Sequence, residues 1–150
     1  MYTQKHTFRV SKIVRAPLSY TYDWCTDFRE TDPKLTGSKN KRRMLFRTKH
    51  RVVYVSQYMR RGQLRDAINV VTLYPKKFWH LDFHGDEDDE TGEYALARLD
   101  AKRTRLKMTF TEAYKIRNAP TKAADIKHTN EIWNKYVATL EKDYARARRR

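Results

Sequence analysis

Apolar and polar residues alternate with a period near two through most of the chain and change to a helical spacing near residue 121. Residues 6–15 (HTFRVSKIVR) alternate partly and are rich in β-branched side chains, which predicts a first strand. Ala16-Pro17 ends it. Proline favours a helix start, so 18–28 (LSYTYDWCTDF) reads as a short aromatic helix. A second short helix or turn is expected over 30–36, begun by Asp32-Pro33 and closed by Gly37-Ser38. Strands follow near 42–48, 50–60, 64–74, 78–84, 93–101 and 104–116. The breaks are Thr48-Lys49, Arg61-Gly62, Pro75-Lys76-Lys77, the run Gly85 to Gly92, and Lys102-Arg103. Links this short make consecutive strands antiparallel hairpins. The acidic run from Asp86 to Glu90 reads as a loop tip.

Over 121–147 the chain has no Gly or Pro, Thr121 is placed to cap, and Ile126, Trp133, Val137, Leu140 and Tyr144 recur at helical spacing. Thr129 and Tyr136 lie beside them. This is one apolar stripe on a helix roughly 40 Å long, at about 1.5 Å per residue. A sheet of six or seven strands must cover its apolar face, and this helix is the one element large enough. The pattern therefore predicts an α+β fold in which a curved antiparallel sheet wraps around a long C-terminal helix. A gap near the two short helices is the natural ligand site.

The length, 150 residues, suits one domain spanning 1–150. The aromatic content of 13%, with ten tyrosines, argues against disorder and suits a cavity wall. The single cysteine, Cys25, excludes an intrachain disulfide and cysteine zinc clusters, and fits a reducing, cytoplasmic setting. Thr3, Gln4 and Lys5 stand where a leader would be apolar, so no signal peptide is expected. Apolar runs are too short to span a membrane. The net charge of +15 is uneven: +12 over 1–65, −1 over 66–120 and +4 over 121–150. Such a field attracts nucleic acid and anionic membrane surfaces nonspecifically.

Particular residues carry a family resemblance. The strand end Val14-Arg15-Ala16-Pro17, followed by Tyr20, Tyr22, Asp23, Trp24, Thr26 and Asp27, is similar to the "APxxxVxDxxxD" start of the START / Bet v 1 superfamily, polyketide cyclase/dehydrase-like group. Tyr74-Pro75 resembles that group's proline link after a central strand. Tyr94, Leu96 and Thr104-Arg105-Leu106 resemble its late hairpin, and the long final helix resembles its hallmark. The resemblance covers essentially the whole chain. It implies the helix-grip fold and a cavity, not one activity, because one fold hosts carriers, receptors, cyclases and partner-binding proteins.

Candidate cavity-wall residues follow from the predicted faces: Tyr22 and Trp24; Trp79, Leu81 and Phe83; Met108, Phe110 and Glu112; and Trp133, Tyr136 and Val137. The expected partner is a small hydrophobic ligand, held by burial at roughly 25 cal/mol per Å². Glu112 is in phase with the apolar positions of its strand. Arg98 faces it if the Lys102-Arg103 hairpin has a three-residue loop, and turns outward if the loop has two. An enzymatic alternative of the cyclase/aromatase type would rest on Glu112 with a tyrosine or Arg98. Asn69 and Gln57 offer hydrogen bonds within apolar strands, and Cys25 reads as a small core residue.

His80, Asp82 and His84 share one strand face and are metal-ligand types, yet alternate positions lie about 6.5–7 Å apart. They read as a polar outer face. No metal and no cofactor are expected. Lys41, Arg42 and Arg43 head a basic segment over 39–51 with no recognisable reading motif. They are the candidates for a secondary RNA or anionic-surface role.

Overall fold

The computed structural model describes residues 1–60 and 62–149. In chain order it contains β1 (Gln4–Val14), α1 (Leu18–Cys25), a 3-10 turn (Asp32–Thr36), and β2 (Lys41–Arg47). There follow β3 (Arg51–Arg60), β4 (Gln63–Tyr74), β5 (Phe78–Gly85), β6 (Asp88–Asp100), β7 (Arg103–Tyr114) and α2 (Lys122–Arg148). The seven strands form one curved antiparallel sheet in the order β1-β7-β6-β5-β4-β3-β2. From β2 to β7 each strand pairs with the next. Pairing of β1 with β7 puts β1 and β2 on opposite edges, so the link between them must cross the sheet. That crossing carries α1 and the 3-10 turn to the side of α2.

Pro17 precedes α1, and Gly37 ends the 3-10 turn in the left-handed region with φ +72°. The Thr121 hydroxyl accepts the Ala124 amide at 3.1 Å, capping α2. The helix is tied to β1 by polar contacts. Lys12 Nζ donates to Asn130 and Asn134 at 2.9 and 2.8 Å, and Arg15 pairs with Glu141 at 3.2 Å. The core lies between sheet and helix, around Val14, Val52, Val71, Trp79, Leu106, Met108 and Leu140. Among the described residues of α2 only Leu140 is fully buried. Ile126, Trp133, Val137 and Tyr144 are partly buried against the core.

Four details correct the sequence reading. Most of the expected acidic loop is strand, because β6 begins at Asp88 and pairs Asp88, Asp89 and Glu90 with Tyr114, Ala113 and Glu112. The local charge is offset: Lys115 reaches Asp89 at 3.1 Å, and Arg65 pairs with Asp86 and Glu87 at 3.4 and 3.6 Å. In β3 the inward residues are Val52 and Tyr54, so Gln57, three residues beyond Tyr54, points away from the core. Both faces of β3 are apolar, and its partner β4 decides the phase. At the β6–β7 hairpin a two-residue turn, Ala101-Lys102, is combined with a register shift between Arg98 and Asp100. The extra residue restores the phase that the short turn would have reversed. Arg98 is thus opposite Thr104, eight residues and roughly 26 Å along β7 from Glu112. Finally, α2 continues through Arg148, whose guanidinium lies 5.2 Å from the Tyr144 ring centroid. The break expected at Arg61-Gly62 and the tail residue Arg150 lie partly or wholly outside the described residues.

Candidate functional site

Two cavities meet beneath α2. The inner one, about 170 Å³, lies between the sheet, α1, the 3-10 turn and α2. Aromatic contacts form most of its wall. Trp79 and Tyr94 stack with ring centroids 4.9 Å apart and planes 6° from parallel. Tyr94 meets Trp133 at 5.8 Å, Trp133 meets Tyr136 at 5.2 Å, and Tyr136 meets Trp24 at 6.4 Å. Strand register produces the stack: Trp79 on β5 is directly opposite Tyr94 on β6. Gly92, two residues earlier, leaves the room this requires. A Cβ there would come within 2.8 Å of the Tyr94 ring. Leu81, Phe28, Leu35 and Tyr54 complete the apolar lining.

The inner cavity holds one ion pair. Arg42 on β2 donates to Asp32 of the 3-10 turn at 2.9 Å, and its guanidinium lies 4.3 Å from the Tyr54 ring centroid. Burial raises the Asp32 pKa, and Arg42 opposes that shift. Burial also pushes the Tyr54 hydroxyl up to about 12. Cys25 is on the wall, and burial pushes its thiol up to about 12, so the thiolate needed for nucleophilic attack is scarce at neutral pH. Trp24 Nε1 donates to Asp143 at 2.9 Å, fixing the first helix against the last.

The second cavity, about 530 Å³, opens beside the first turns of α2. It shares Tyr94 and Trp133 with the inner cavity as a common wall. Glu90 and Glu112 are cross-strand partners and share a hydrogen bond. Burial, then Glu90, pushes the Glu112 carboxyl up to about 12, and burial raises Glu90 as well. Two carboxyl groups in contact favour a proton shared between them. Asp125 receives Tyr114 Oη at 2.8 Å and His6 Nε2 at 2.6 Å. The Gln4 amide stands 3.2 Å from His6 Nδ1.

The structure distributes the sequence-derived candidates unevenly. Trp24, Trp79, Leu81, Trp133 and Tyr136 converge on the inner cavity. Phe110 and Glu112 line the second. Tyr22 and Met108 are buried in the core, Tyr22 meeting Trp79 edge-on at 5.9 Å. Val137 packs against the core and Phe83 is half-buried beside Gly85; neither lines either cavity. Asn69 is buried and donates to Ser56 at 2.9 Å, so its hydrogen bond is internal.

Residues missed by the sequence reading include Phe28, Leu35, Tyr54, Tyr94, Asp32 and Glu90. Alternation in β4 and β6, carried across the hairpins, would have found Tyr54 and Tyr94. Nothing local marks Asp32. Arg42 is corrected from an outward basic residue to an inward one: it is opposite Ser56 and two residues before Met44, which is opposite Tyr54. Lys41 and Arg43 are exposed on the same edge strand. On the outer face, His80 pairs with Asp82 at 2.9 Å and His84 with Asp89 at 3.4 Å. No group of three or more metal-ligand side chains converges among the described residues. A wider groove of about 870 Å³ lies beside Arg15, Arg103, Glu141 and Arg148, with Ala138, Tyr144 and Ala145 supplying apolar wall. No helix among the described residues is long and apolar enough to cross a membrane.

The fold recurs in solved structures of low sequence identity. The ZhuI aromatase/cyclase from Streptomyces sp. R1128 superposes with a TM-score of 0.73 at 14% identity, over 95% of both chains. A START superfamily protein from Mycobacterium smegmatis gives 0.68 at 17%, over 95% of this chain and 99% of that one. Ara h 8.0201 gives 0.67 at 14%, over 91% and 98%. No protein-family model and no curated protein matches the chain.

Proposed function

We propose that this chain, which has the helix-grip fold of START and Bet v 1-like proteins, binds a small apolar or lipid-like molecule between its sheet and α2. The aromatic inner cavity carries the reading. Its volume of about 170 Å³ resembles dry apolar cavities of about 150 Å³ that take up benzene. A single ring therefore fills it as it stands. A longer ligand would extend between the 3-10 turn and α2, past the Arg42–Asp32 pair. That pair and the tyrosine hydroxyls would orient a polar end, while ring burial supplies affinity.

The test uses toluene as probe. Amide chemical shifts of the wild type should move saturably around Tyr54, Trp79 and Tyr94. Leu81→Phe fills the cavity and should abolish the shifts. Equal shifts in both proteins, or none in the wild type, would end this reading. Native mass spectrometry of protein from its own host would then identify any retained ligand. Any RNA or anionic-vesicle binding would rest instead on Lys41 and Arg43, exposed on β2. Glutamate at both positions should remove it without altering toluene uptake.

A further inference from the structure

Several acids of this basic protein are matched by lysine or arginine. Asp32 has Arg42 at 2.9 Å, Asp100 has Arg103 at 2.8 Å, and Glu141 has Arg15 at 3.2 Å. Glu90, Glu112 and Asp125 line the second cavity together with His128, and no described lysine or arginine does, although the chain carries +15. Hydrogen bonds from His6 and Tyr114 reach Asp125.

Glu112 makes this more than a cluster of acids. It is only 6% exposed, it lines the cavity, and its Oε2 is buried without a hydrogen-bond donor. A buried carboxyl oxygen in that state is costly unless something fills the space before it. Its cross-strand partner is another carboxylate, and such a pair needs a proton or a cation beside it. The rest of the wall is aromatic: Phe8, Tyr94, Phe110 and Trp133. Carboxylates beside ring faces bind organic cations, because charge and the ring quadrupole attract the same group. The volume, about 530 Å³, suits a small molecule. The described carboxyl groups do not converge as a metal cage would.

We propose that this cavity binds a small organic cation, its ammonium group at the Glu90–Glu112 pair and its apolar body against Phe110 and Trp133. This site is separate from the aromatic inner cavity and stands whether or not that cavity takes a ligand.

The experiment is calorimetric titration with 2-phenylethylammonium, using uncharged 2-phenylethanol as its near-isostere. The amine should bind at least about tenfold more tightly than the alcohol. Glu90→Gln should weaken the amine by about tenfold or more. Glu112→Gln, which keeps a hydrogen-bonding group of the same shape beside Glu90, should change it by less than Glu90→Gln does. Ala124→Trp, on the exposed rim of the cavity, should block binding while leaving every carboxyl in place. It decides the matter if Glu90→Gln does not fold. Leu81→Phe, which fills the inner cavity, should leave amine binding intact. Equal binding of amine and alcohol, absence of amine binding, or an unaffected Ala124→Trp variant would each overturn the proposal. Loss of amine binding in Leu81→Phe would place the amine in the inner cavity and also overturn it, with the apolar-ligand reading left standing.

Discussion

The two cavities under α2 share a wall of Tyr94 and Trp133 and differ in almost everything else. The inner one is aromatic, and its one acid, Asp32, is matched by Arg42. The outer one has carboxyl groups on three elements and no described lysine or arginine. The register of β6 explains part of the contrast. Its inward residues are Tyr94 and Leu96 toward one end and Asp88 and Glu90 toward the other. One strand thus supplies an apolar surface to the first cavity and an acidic surface to the second. A curved sheet under a single helix can carry two chemically distinct sites, because strand position sets depth under the helix.

The largest effect that would break this contrast is loss of the stack that holds Tyr94 in the shared wall. Trp79 is 1% exposed, and Trp79→Ala should cost about 3–5 kcal/mol in urea unfolding. A cost below about 1 kcal/mol would mean that the aromatic wall collapses to fill the gap.

The charge side of the comparison can be sharpened by pH. Glu112 has its folded pKa raised above the unfolded value near 4.5. A raised carboxyl pKa means the folded state binds more protons. The stabilisation from the neutral acid is complete below about pH 4 and is lost as pH rises toward the folded value. Glu112→Gln is neutral at every pH and can still donate to Glu90. It should therefore gain stability on the wild type as pH rises from about 5 to 8, on the order of 1–3 kcal/mol. Thermal melts of both proteins across that range give the slope. Parallel curves would show that Glu112 titrates normally.

Arg42 tests the opposite case, a half-buried cation with a partner. Arg42→Met keeps an apolar body over Tyr54 but leaves Asp32 only the longer contact to Arg29 at 3.7 Å, and should cost about 1–3 kcal/mol near neutral pH. Lowering the pH should narrow the deficit, since Asp32 becomes neutral. A pH-independent deficit would assign the loss to packing alone.

The smallest effect is on rate. With its thiol raised to about 12 by burial, Cys25 should react with iodoacetamide at pH 8 far more slowly than the same thiol in urea. Toluene should slow it further in the folded protein. Toluene without effect would place the probe away from the inner cavity.

The period-two pattern up to residue 116, the short links between strands and the uninterrupted helical stripe from 121 determined the architecture. These are local signals: each strand declares an apolar face, and one long helix remains to cover them. Trp24, Trp79, Leu81, Trp133 and Tyr136 were legible as wall residues because each occupies the apolar phase of its own element. The tertiary structure alone decided what required pairing across elements. The phase of β3, apolar on both faces, was set by β4. The extra residue before Asp100 settled Arg98 at the far end of β7 from Glu112. The inward turn of Arg42 came from Tyr54 and Asp32, neighbours separated from it in sequence. Glu90 looked like part of a solvated acidic loop until its cross-strand position opposite Glu112 was known. A charge declares its cost only through what faces it, and the facing group belongs to another strand.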